Sequence, residues 1–368
     1  MKQSNNVGDN DMGYMAYALR LADTVKGTTF PNPAVGAVIV RGTNIVGTGA
    51  TSVCGGPHAE TNALKEAGHK AADATMYVTL EPCNHCGRTP PCTDAIIAAG
   101  IKTIYVAVRD PNPLVSGRGI RRLRAAGITV HCGLLRGEAA LMNEEFFWFV
   151  THKKPWITLK LALTLDGRIA DESGTSQWIT SPASRTIVHD LRRRYAAIAV
   201  GRTTLEKDDP HLTVRHVTGN NPVRIIFSSN ARVPGASYFV TSASTVKSII
   251  VVRSLRRQQK LVSKNGPAVW YTGSNTYKGC LHAFMDMAYE EGLTSILIEG
   301  GQKLASSFLE QGLVNRLYLF YGNAIVGNGI DGLLFSEGLP LGKALSLSSQ
   351  NVTTVGNDIL VTGIPQWK

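Results

Sequence analysis

The first clear apolar pattern in the chain is a pair of short β-rich runs within AVGAVIVRGTNIVGTGA. Polar residues 41–44 separate the runs, and a polar turn between two such runs predicts a β-hairpin. Beyond the hairpin, the spacing predicts helices in HAETNALKEAG, TDAIIAAG and GIRRLRAAG and strands in TMYVTL, TIYVAV and ITVHCG. Such alternation is typical of an α/β sandwich with a mixed sheet. A last helix is predicted from about Glu138 to Val150.

A domain boundary is predicted at THKKP, where Pro155 follows basic residues. The pattern then starts afresh, with strands predicted in WITLKLAL, AAIAVG, VRIIFSS, SIIVVR, AVWYT, SILIEGG and RLYLFYG. Helical spacing lies between them in SRTIVHDLRRRY and GCLHAFMDMAYEEG, so a second α/β domain is expected. No internal repeat relates the halves. The sequence therefore predicts two different domains, residues 1–152 and 153–368.

Length and composition agree with two globular domains. The chain has 368 residues, whereas single domains usually span about 100 to 200 residues. Its hydrophobic fraction of 43% and charged fraction of 18% are ordinary for a globular protein. The N-terminus has no signal-peptide pattern, and no stretch approaches the roughly 20 apolar residues that a spanning helix requires. We therefore expect a cytoplasmic protein with no membrane partner.

The formal net charge of +11 suits an acidic partner. Phosphorylated small molecules and nucleic acids both qualify, and the charge alone does not choose between them. The densest basic run, residues 192–194, is three residues long, and such a run is most often a solvated helix face.

Three of the six cysteines lie within EPCNHCGRTPPC, residues 81–92. In a reducing cytosol such a cluster favours metal ligands or packing thiols over disulfides. Upstream, Pro57 is a natural first-turn residue, so His58 and Glu60 are expected at the start of the HAETNAL helix. Residues two apart on a helix are about 200° apart around its axis. Both side chains can nevertheless reach a centre that lies over the helix N-terminus.

The order H-x-E followed by P-C-x-x-C is the signature of zinc nucleobase deaminases. One imidazole and two thiolates leave a fourth zinc position for water, whose pKa the metal lowers. Glu60, as a carboxylate that is not a ligand, can then carry the proton to a leaving amine. By literal spacing Cys83 and Cys86 satisfy the motif, which would leave Cys92 spare.

The motifs PNPAVGAVIV, PHAE, VTLEPCNHCGRTPPC and DPNPLVSGRG resemble the deaminase half of the bifunctional riboflavin-biosynthesis deaminase/reductase. That resemblance implies a cytidine-deaminase-like α/β/α sandwich. It also implies that His58, Cys83 and Cys92 bind Zn²⁺, that Glu60 is the proton shuttle and that Cys86 is a bystander. Substrate contacts are implied at Asn32, Arg88 and Thr89.

In the second half, SILIEGGQKLASSFL runs from a strand through Gly300 and Gly301 into a helix. Glycines at such a turn let backbone N–H groups approach a phosphate. The stretch lacks the G-x-G-x-x-G fingerprint, so an ordinary Rossmann domain is not predicted. No residue in this half has the pattern of an essential nucleophile or metal ligand.

The stretches LDGRIA, SGTSQWITS, DDPHLTVR and IEGG resemble the reductase half of the same family. The resemblance, which covers nearly the whole chain, implies a dihydrofolate-reductase-like α/β domain that uses NADPH. Cofactor contacts are implied for Ala162, Trp178, Thr204, Asp208, Ser229, Gly301, Gln302, Lys303, Leu304, Ala305, Ser306 and Ser307. Substrate contacts are implied for Ser176, Arg192, Leu212, Arg215 and Glu299.

The residues alone leave a plainer interpretation open, in which Trp178 and Leu212 are core residues and Arg192 is a surface charge. Two arginines do suit a substrate phosphate, because a guanidinium presents forked donors to its oxygens. The sequence also departs from some family members, which have an aspartate where this chain has Ser228.

The resemblance implies two reactions in sequence on one phosphorylated pyrimidine. Zinc-dependent deamination of 2,5-diamino-6-(5-phosphoribosylamino)pyrimidin-4(3H)-one comes first. NADPH-dependent reduction of the ribosyl chain of 5-amino-6-(5-phosphoribosylamino)uracil to ribityl follows. The related enzymes are typically homo-oligomers, which implies a dimer or tetramer, and nucleic acid is not an expected partner.

Two alternatives stay open at the level of sequence. The chain could be a nucleic-acid or nucleoside deaminase with a basic accessory domain, although no aromatic-and-basic RNA-binding motif is present. It could also be a binding protein with a closed structural zinc site, in which Cys86 would be the fourth ligand.

Overall fold

The computed structural model describes residues 8–85, 90–113, 115–229, 232–253 and 266–367, with the backbone alone at Asp9. The chain divides into two compact units, Met1–Lys153 and Lys154–Lys368. Both are α/β, as the sequence predicts. Within the described part of the chain, no helix has the length and apolarity to cross a membrane.

The first unit contains a five-stranded sheet in the order β2-β1-β3-β4-β5. Strands β1, β2 and β3 pair antiparallel, whereas β3, β4 and β5 are parallel, so the sheet is mixed as predicted. The strands are β1 (Gly36–Arg41), β2 (Asn44–Ala50), β3 (Thr75–Leu80), β4 (Thr103–Val108) and β5 (Thr129–Cys132). The helices are α1 (Asp9–Val25), α2 (Ala59–Ala67), α3 (Cys92–Ala98), α4 (Arg118–Ala125), α5 (Arg136–Met142) and α6 (Glu144–His152).

Glycines bring α2 into direct contact with the hairpin. A Cβ atom at Gly49 would lie 2.2 Å from the carbonyl oxygen of Ala59, and one at Gly47 would lie 2.3 Å from that of Ala63. Both distances are far inside van der Waals contact, so only glycine allows this approach. The contact fixes the N-terminal end of α2, which carries His58 and Glu60.

The single helix predicted from Glu138 to Val150 is wrong, because the structure has two helices that meet at Asn143. The Asn143 side chain accepts a hydrogen bond from the backbone N–H of Ala34 at 2.9 Å and donates one to its carbonyl oxygen at 2.8 Å. Asn143 is buried, and this pairing with a distant backbone segment interrupts the helix. Local periodicity cannot reveal a partner 109 residues away.

The second unit is built on a nine-stranded sheet in the order β11-β10-β9-β8-β12-β6-β13-β16-β15. A two-stranded sheet pairs β7 with β14. The strands are β6 (Trp156–Leu163), β7 (Arg168–Asp171), β8 (Ala197–Gly201), β9 (Val223–Phe227), β10 (Ser248–Val252), β11 (Ala268–Tyr271), β12 (Ser295–Ile298), β13 (Arg316–Tyr321), β14 (Gly329–Asp331), β15 (Ser346–Val355) and β16 (Asp358–Gln366). The helices are α7 (Pro182–Arg194), α8 (Arg202–Asp208), α9 (Tyr238–Thr241), α10 (Tyr277–Glu290) and α11 (Gln302–Glu310).

Seven strands of the large sheet, β6 and β8 to β13, run parallel to one another. Their carboxyl ends therefore meet at one edge, which is where ligands bind in open α/β sheets. Buried side chains from the sheet and from α10 and α11 form the main core. The hairpin of β15 and β16 was not expected, and its first strand, β15, is rich in serine and threonine and mostly exposed.

Candidate active sites of the two units

Three potential metal ligands lie together in the first unit. The ligand atoms of His58, Cys83 and Cys92 all lie within 4.8 Å of one another, the only such group of three or more among the residues that the structure describes. His58 Nδ1 is 3.2 Å from Cys92 Sγ and 3.6 Å from Cys83 Sγ. One imidazole and two thiols form a donor set that suits Zn²⁺.

Different elements present these ligands. His58 is the N-cap residue of α2, Cys83 follows β3, and Cys92 begins α3. Pro57 lies outside α2, one residue before the cap, because His58 has extended backbone angles; the expectation of a first-turn proline is therefore wrong. Besides its thiol, Cys92 donates a backbone N–H to Cys83 Sγ at 3.3 Å, a bond that stabilises negative charge on that sulfur.

The pKa values of the two thiols are shifted in opposite directions. Hydrogen bonding to Cys92 lowers the pKa of the Cys83 thiol to about 4, with further help from His58. The same hydrogen bond and burial raise the pKa of Cys92. Hydrogen bonding to Cys83 also raises the pKa of His58. A polar centre that already stabilises a thiolate is the environment that a thiophilic cation requires.

Glu60 lies in the first turn of α2 and is almost wholly buried, with 4% of its surface exposed. Burial raises the pKa of Glu60 to about 7. A carboxyl group with a pKa near neutrality can both accept and release a proton under physiological conditions. Glu60 is therefore suited to the predicted role of proton shuttle.

Glu81, which sequence reasoning did not single out, ties the strand that leads to Cys83 to a distant loop. Its carboxylate accepts backbone hydrogen bonds from Gly117 at 2.9 Å, Ile120 at 3.2 Å and Asp110 at 3.3 Å. These donors belong to the loop before α4 and to the helix itself, so the buried carboxylate caps that helix from outside. The signal in the sequence was the glutamate of EPC, directly before the ligand loop.

Only some of the other expected deaminase residues can be placed. Asn32 is half-buried in the loop between α1 and β1, where its backbone exchanges hydrogen bonds with Thr29. Arg88, Thr89 and Cys86 lie outside the described residues. Cys92 lies in the group with His58 and Cys83, and the choice between Cys92 and Cys86 as the second thiol ligand stays a prediction.

Substitution of the cysteines tests this ligand set. We expect Cys92→Ser to lose the bound zinc, because a serine hydroxyl is a poor zinc ligand, whereas Cys86→Ser should retain about one zinc per chain. The measurement is metal content of the purified variants by atomic emission. Cys132→Ser, at an exposed cysteine, is the control. Zinc retained in Cys92→Ser and lost in Cys86→Ser would contradict the assignment.

The pKa of Glu60 also predicts a pH dependence of stability in zinc-free protein. The unfolded glutamate titrates at 4.5 and the folded one at about 7, so the folded state holds an extra proton between these values. Stability therefore falls as pH rises through this window, by about 3 kcal/mol in total. Glu60→Gln removes this contribution. Denaturant unfolding of the zinc-free wild type and variant measures it, and parallel pH profiles would contradict it.

In the second unit, two glycines end β12 at the carboxyl edge of the sheet. Gly300 and Gly301 have backbone φ values of 126° and 80°, which residues other than glycine rarely adopt. A Cβ at Gly301 would lie 3.2 Å from Thr204 Oγ1, so the start of α11 and the start of α8 approach each other closely. The first backbone N–H groups of α11 have no partner within the helix, which makes this turn a cradle suited to the phosphates of NADPH.

The expected cofactor residues occupy different environments around this edge. Ala162 is half-buried on β6, Asp208 is exposed at the end of α8, and Ser229 is exposed after β9. In α11 the side chains of Leu304, Ala305 and Ser306 are buried, and Ser306 accepts a hydrogen bond from the Leu334 backbone at 2.8 Å. Gln302 donates to the Asp331 carbonyl oxygen at 3.0 Å, Lys303 is exposed and Ser307 is half-buried.

Trp178, an expected cofactor contact, has a side chain that is 70% exposed, so the plainer alternative of a core tryptophan is wrong. The guanidinium of Arg185 lies 4.3 Å from the centroid of its indole ring. Ser176, two residues earlier, donates a hydrogen bond to Asp208 at 3.4 Å. The exposed indole of Trp178 is available for a ligand.

Ser228, which stands where some family members have an aspartate, is buried. It donates a hydrogen bond to the Arg232 carbonyl oxygen at 3.1 Å, so it has an internal partner.

For Arg192, an expected substrate contact, the plainer alternative of a surface charge is also wrong, because the residue is buried. Its guanidinium forms two parallel hydrogen bonds with the Glu299 carboxylate, of 2.6 and 2.7 Å, and both side chains are buried. A third bond joins Arg192 to the Thr213 carbonyl oxygen at 3.1 Å. The neighbours Arg193 and Arg194 pair with Asp190 and are partly exposed. One face of this basic run is therefore buried in an ion pair, and the other is partly solvated.

Leu212 and Arg215 lie in the loop that follows α8. Leu212, an expected substrate contact, is buried, which agrees with the plainer alternative of a core residue. Its φ of 54° is an unusual conformation for leucine. The exposed Arg215 donates through its side chain to Thr213 Oγ1 at 3.1 Å and through its backbone to His189 Nδ1 at 3.0 Å. Arg192, Glu299 and this loop thus form one connected polar group.

Lys160 is a candidate residue that sequence reasoning missed. It is half-buried on β6, and its ammonium group lies 6.0 Å from the Phe320 ring centroid. Burial lowers the pKa of Lys160, while the nearby Glu299 carboxylate opposes the change. A lysine within the otherwise apolar strand WITLKLAL was the available signal. Such a lysine can donate a proton more readily than an exposed one.

Comparisons with known proteins point in one direction. Residues 155–361 match the family model described as RibD C-terminal domain. Residues 9–108 match the cytidine and deoxycytidylate deaminase zinc-binding region. The chain is 43% identical over 353 residues to the riboflavin biosynthesis protein RibD of Aquifex aeolicus, covering 95% of this chain and 97% of that protein. It is 39% identical to RibD of Escherichia coli, with 95% and 98% covered.

Solved structures agree with these matches. A diaminohydroxyphosphoribosylaminopyrimidine deaminase/5-amino-6-(5-phosphoribosylamino)uracil reductase of Thermotoga maritima superposes with a TM-score of 0.86 at 36% identity, covering 98% of this chain and 100% of that one. RibD of Acinetobacter baumannii gives a TM-score of 0.87 at 33% identity, with 97% and 99% covered. The similarity therefore spans both units.

Proposed function

The chain belongs to the RibD family of bifunctional riboflavin-biosynthesis enzymes, and we propose from this that its two units catalyse successive steps on one phosphorylated pyrimidine. The deaminase is assigned to residues 1–152 and the reductase to residues 153–368, in line with the two family-model matches. The observation that carries the proposal is the group of His58, Cys83 and Cys92 beside the buried Glu60.

The first reaction is hydrolysis of the 2-amino group of 2,5-diamino-6-(5-phosphoribosylamino)pyrimidin-4(3H)-one. His58, Cys83 and Cys92 would hold a zinc ion, which when bound lowers the pKa of a water molecule towards neutrality. Glu60 accepts a proton from the attacking water and delivers it to the leaving nitrogen, so that ammonia departs as a neutral molecule. Burial keeps bulk water from Glu60 and brings its pKa close to the value this exchange requires.

The second reaction is reduction of the ribosyl group of 5-amino-6-(5-phosphoribosylamino)uracil to a ribityl chain. NADPH supplies the hydride when bound at the cradle that begins at Gly301. Opening the ribose ring requires a proton at the ring oxygen, and Lys160, whose pKa is lowered, is the candidate donor. Arg192 and Glu299 orient the substrate, and the exposed guanidinium of Arg215 suits its phosphate.

Two finer expectations belong to this proposal. A cytoplasmic location suits an enzyme that needs free thiols and NADPH, because reducing compartments keep cysteines available as ligands. We expect the protein to form a homo-oligomer, a dimer or a tetramer, because related enzymes are typically homo-oligomers. We do not expect it to bind nucleic acid. Size-exclusion chromatography with light scattering measures the oligomeric state.

Two half-reactions test the proposal. Purified zinc-loaded protein should release ammonia from the diamino compound without NADPH. The same protein should oxidise NADPH when given the deaminated phosphoribosylamino uracil. Ammonia release alone would limit the function to deamination, and the absence of both signals would contradict the proposal.

A further inference from the structure

Arg224 is a fully buried cation in the second unit, with 0% of its surface exposed. It lies on β9, and its guanidinium donates to Ser248 Oγ from two nitrogens, at 2.7 and 3.1 Å. It also donates to the carbonyl oxygens of Phe239 at 3.2 Å, Val246 at 3.4 Å and His211 at 3.3 Å. Every acceptor in this set is neutral, and no ion pair found in the described part of the chain includes Arg224.

A buried guanidinium without a carboxylate is expensive in free energy, because its loss of hydration is only partly replaced by neutral acceptors. Burial accordingly lowers the pKa of Arg224. The rings of Tyr238 and Phe239 lie 5.6 and 5.2 Å from the guanidinium carbon and offset part of the cost. An apolar side chain would fill the same space at lower cost, so the pattern of bonds is the feature that needs explanation.

The bond to His211 leads directly to the loop formed by residues 209–215. His211 precedes Leu212, whose positive φ is a conformation that surrounding contacts must maintain. Two further contacts fasten the same end of the loop: the Asp209 carboxylate accepts the Tyr238 N–H at 2.9 Å, and the rings of His211 and Tyr238 stack at 3.8 Å. The beginning of the loop is thus held against β9 and α9.

The other end of the loop faces the proposed substrate group. Arg192 donates to the Thr213 carbonyl oxygen, and Arg215 reaches both Thr213 Oγ1 and His189. The loop therefore lies between Arg224 on one side and Arg192 on the other. A shift of His211 would move Leu212 and Arg215 together.

We infer that Arg224 is a positioning residue for the reductase, which holds the 209–215 loop so that Leu212 and Arg215 face the phosphorylated substrate. This inference rests on the proposed function, because it takes that loop as part of the substrate site. The hydrogen bonds of Arg224 described above go to none of the residues assigned to the substrate or to the cofactor cradle. Its loss should therefore weaken substrate binding without weakening NADPH binding.

The test is Arg224→Lys, which keeps the charge but cannot reach all of these acceptors at once. We expect the KM for the phosphoribosylamino uracil to rise about tenfold or more, given the usual strength of hydrogen bonds to charged groups. The KM for NADPH and the rate of ammonia release should stay at the wild-type values. An unchanged substrate KM, or an equal rise in both KM values, would overturn the inference.

Ser248→Ala is the matched control. It removes two bonds of Arg224 and leaves the one to His211, so it should lower the melting temperature without raising the substrate KM. A rise in KM equal to that of Arg224→Lys would mean that general destabilisation is the cause, which also overturns the inference.

A second variant keeps the inference testable if Arg224→Lys does not fold. Asp209→Ala, at an exposed residue, removes the other hydrogen bonds that hold the start of the loop, and it should produce the same split between the two KM values. An unchanged substrate KM would contradict the role of the loop. Failure of the wild type to oxidise NADPH would instead reject the proposed function, so the two failures are distinguishable.

Discussion

Replacement of Glu60 by glutamine is expected to lower the rate of ammonia release by a factor of about 100 to 10,000, the usual contribution of a positioned general acid or base. Glutamine has nearly the same shape, but its amide cannot accept a proton from the attacking water and pass it to the leaving nitrogen. Because Glu60 is not among the three grouped ligands, zinc content should stay at the wild-type level. The measurements are ammonia release and zinc content of the same preparation.

Glu66→Gln is the control for this variant, because Glu66 lies on the same helix but is exposed and bonded to Thr48. It should release ammonia at the wild-type rate. NADPH oxidation with the deaminated compound should be normal in both variants. A Glu60→Gln enzyme that still deaminates at the wild-type rate would exclude Glu60 as the proton shuttle.

Replacement of Arg192 by methionine is expected to destabilise the second unit by about 3 to 5 kcal/mol, the usual cost of leaving one buried charge without its partner. The charge left behind is that of Glu299, whose side chain is only 6% exposed. Loss of the bond to Thr213 should also disturb the substrate loop, so NADPH oxidation should fall below detection. Denaturant unfolding and the NADPH assay measure the two effects.

Arg194→Met provides the comparison on the same helix. Arg194 pairs with Asp190 and is partly exposed, and such surface pairs contribute about 1 kcal/mol or less. Its stability and reductase rate should therefore stay close to the wild type. Equal losses in both variants would show that Arg192 has no special role. Ammonia release should be unaffected by either change.

Local patterns predicted much of the architecture. The hairpin of β1 and β2, the helix that begins beside His58, and the positions of seven strands in the second unit all follow from spacing over a few residues. The grouping of His58, Cys83 and Cys92 was predicted from a motif that combines a helix start with a strand end, together with a family resemblance. Such signals lie within short stretches of the chain, so they can be recognised in the sequence without knowledge of the fold.

Features that depend on distant partners were missed or misread. Asn143 interrupts a helix because its side chain forms hydrogen bonds with a backbone segment more than a hundred residues earlier. Arg192 is buried because its guanidinium pairs with the carboxylate of Glu299, which is distant in sequence. Lys160, Glu81 and Arg224 owe their environments to the fold in the same way. Residue propensity and periodicity depend on neighbours in the sequence, so they do not predict polar contacts between residues that are distant in the sequence.

The most direct test of two sites that act in sequence is NADPH oxidation by Glu60→Gln enzyme supplied with each compound in turn. With the diamino compound, we expect NADPH oxidation no faster than the residual deamination of the variant. With the deaminated phosphoribosylamino uracil, we expect a wild-type rate, because only this compound is a substrate for the reductase. NADPH oxidation with the diamino compound that is faster than ammonia release would contradict the proposed order. No oxidation with either compound, in a variant that is folded, would contradict the separation of the two sites.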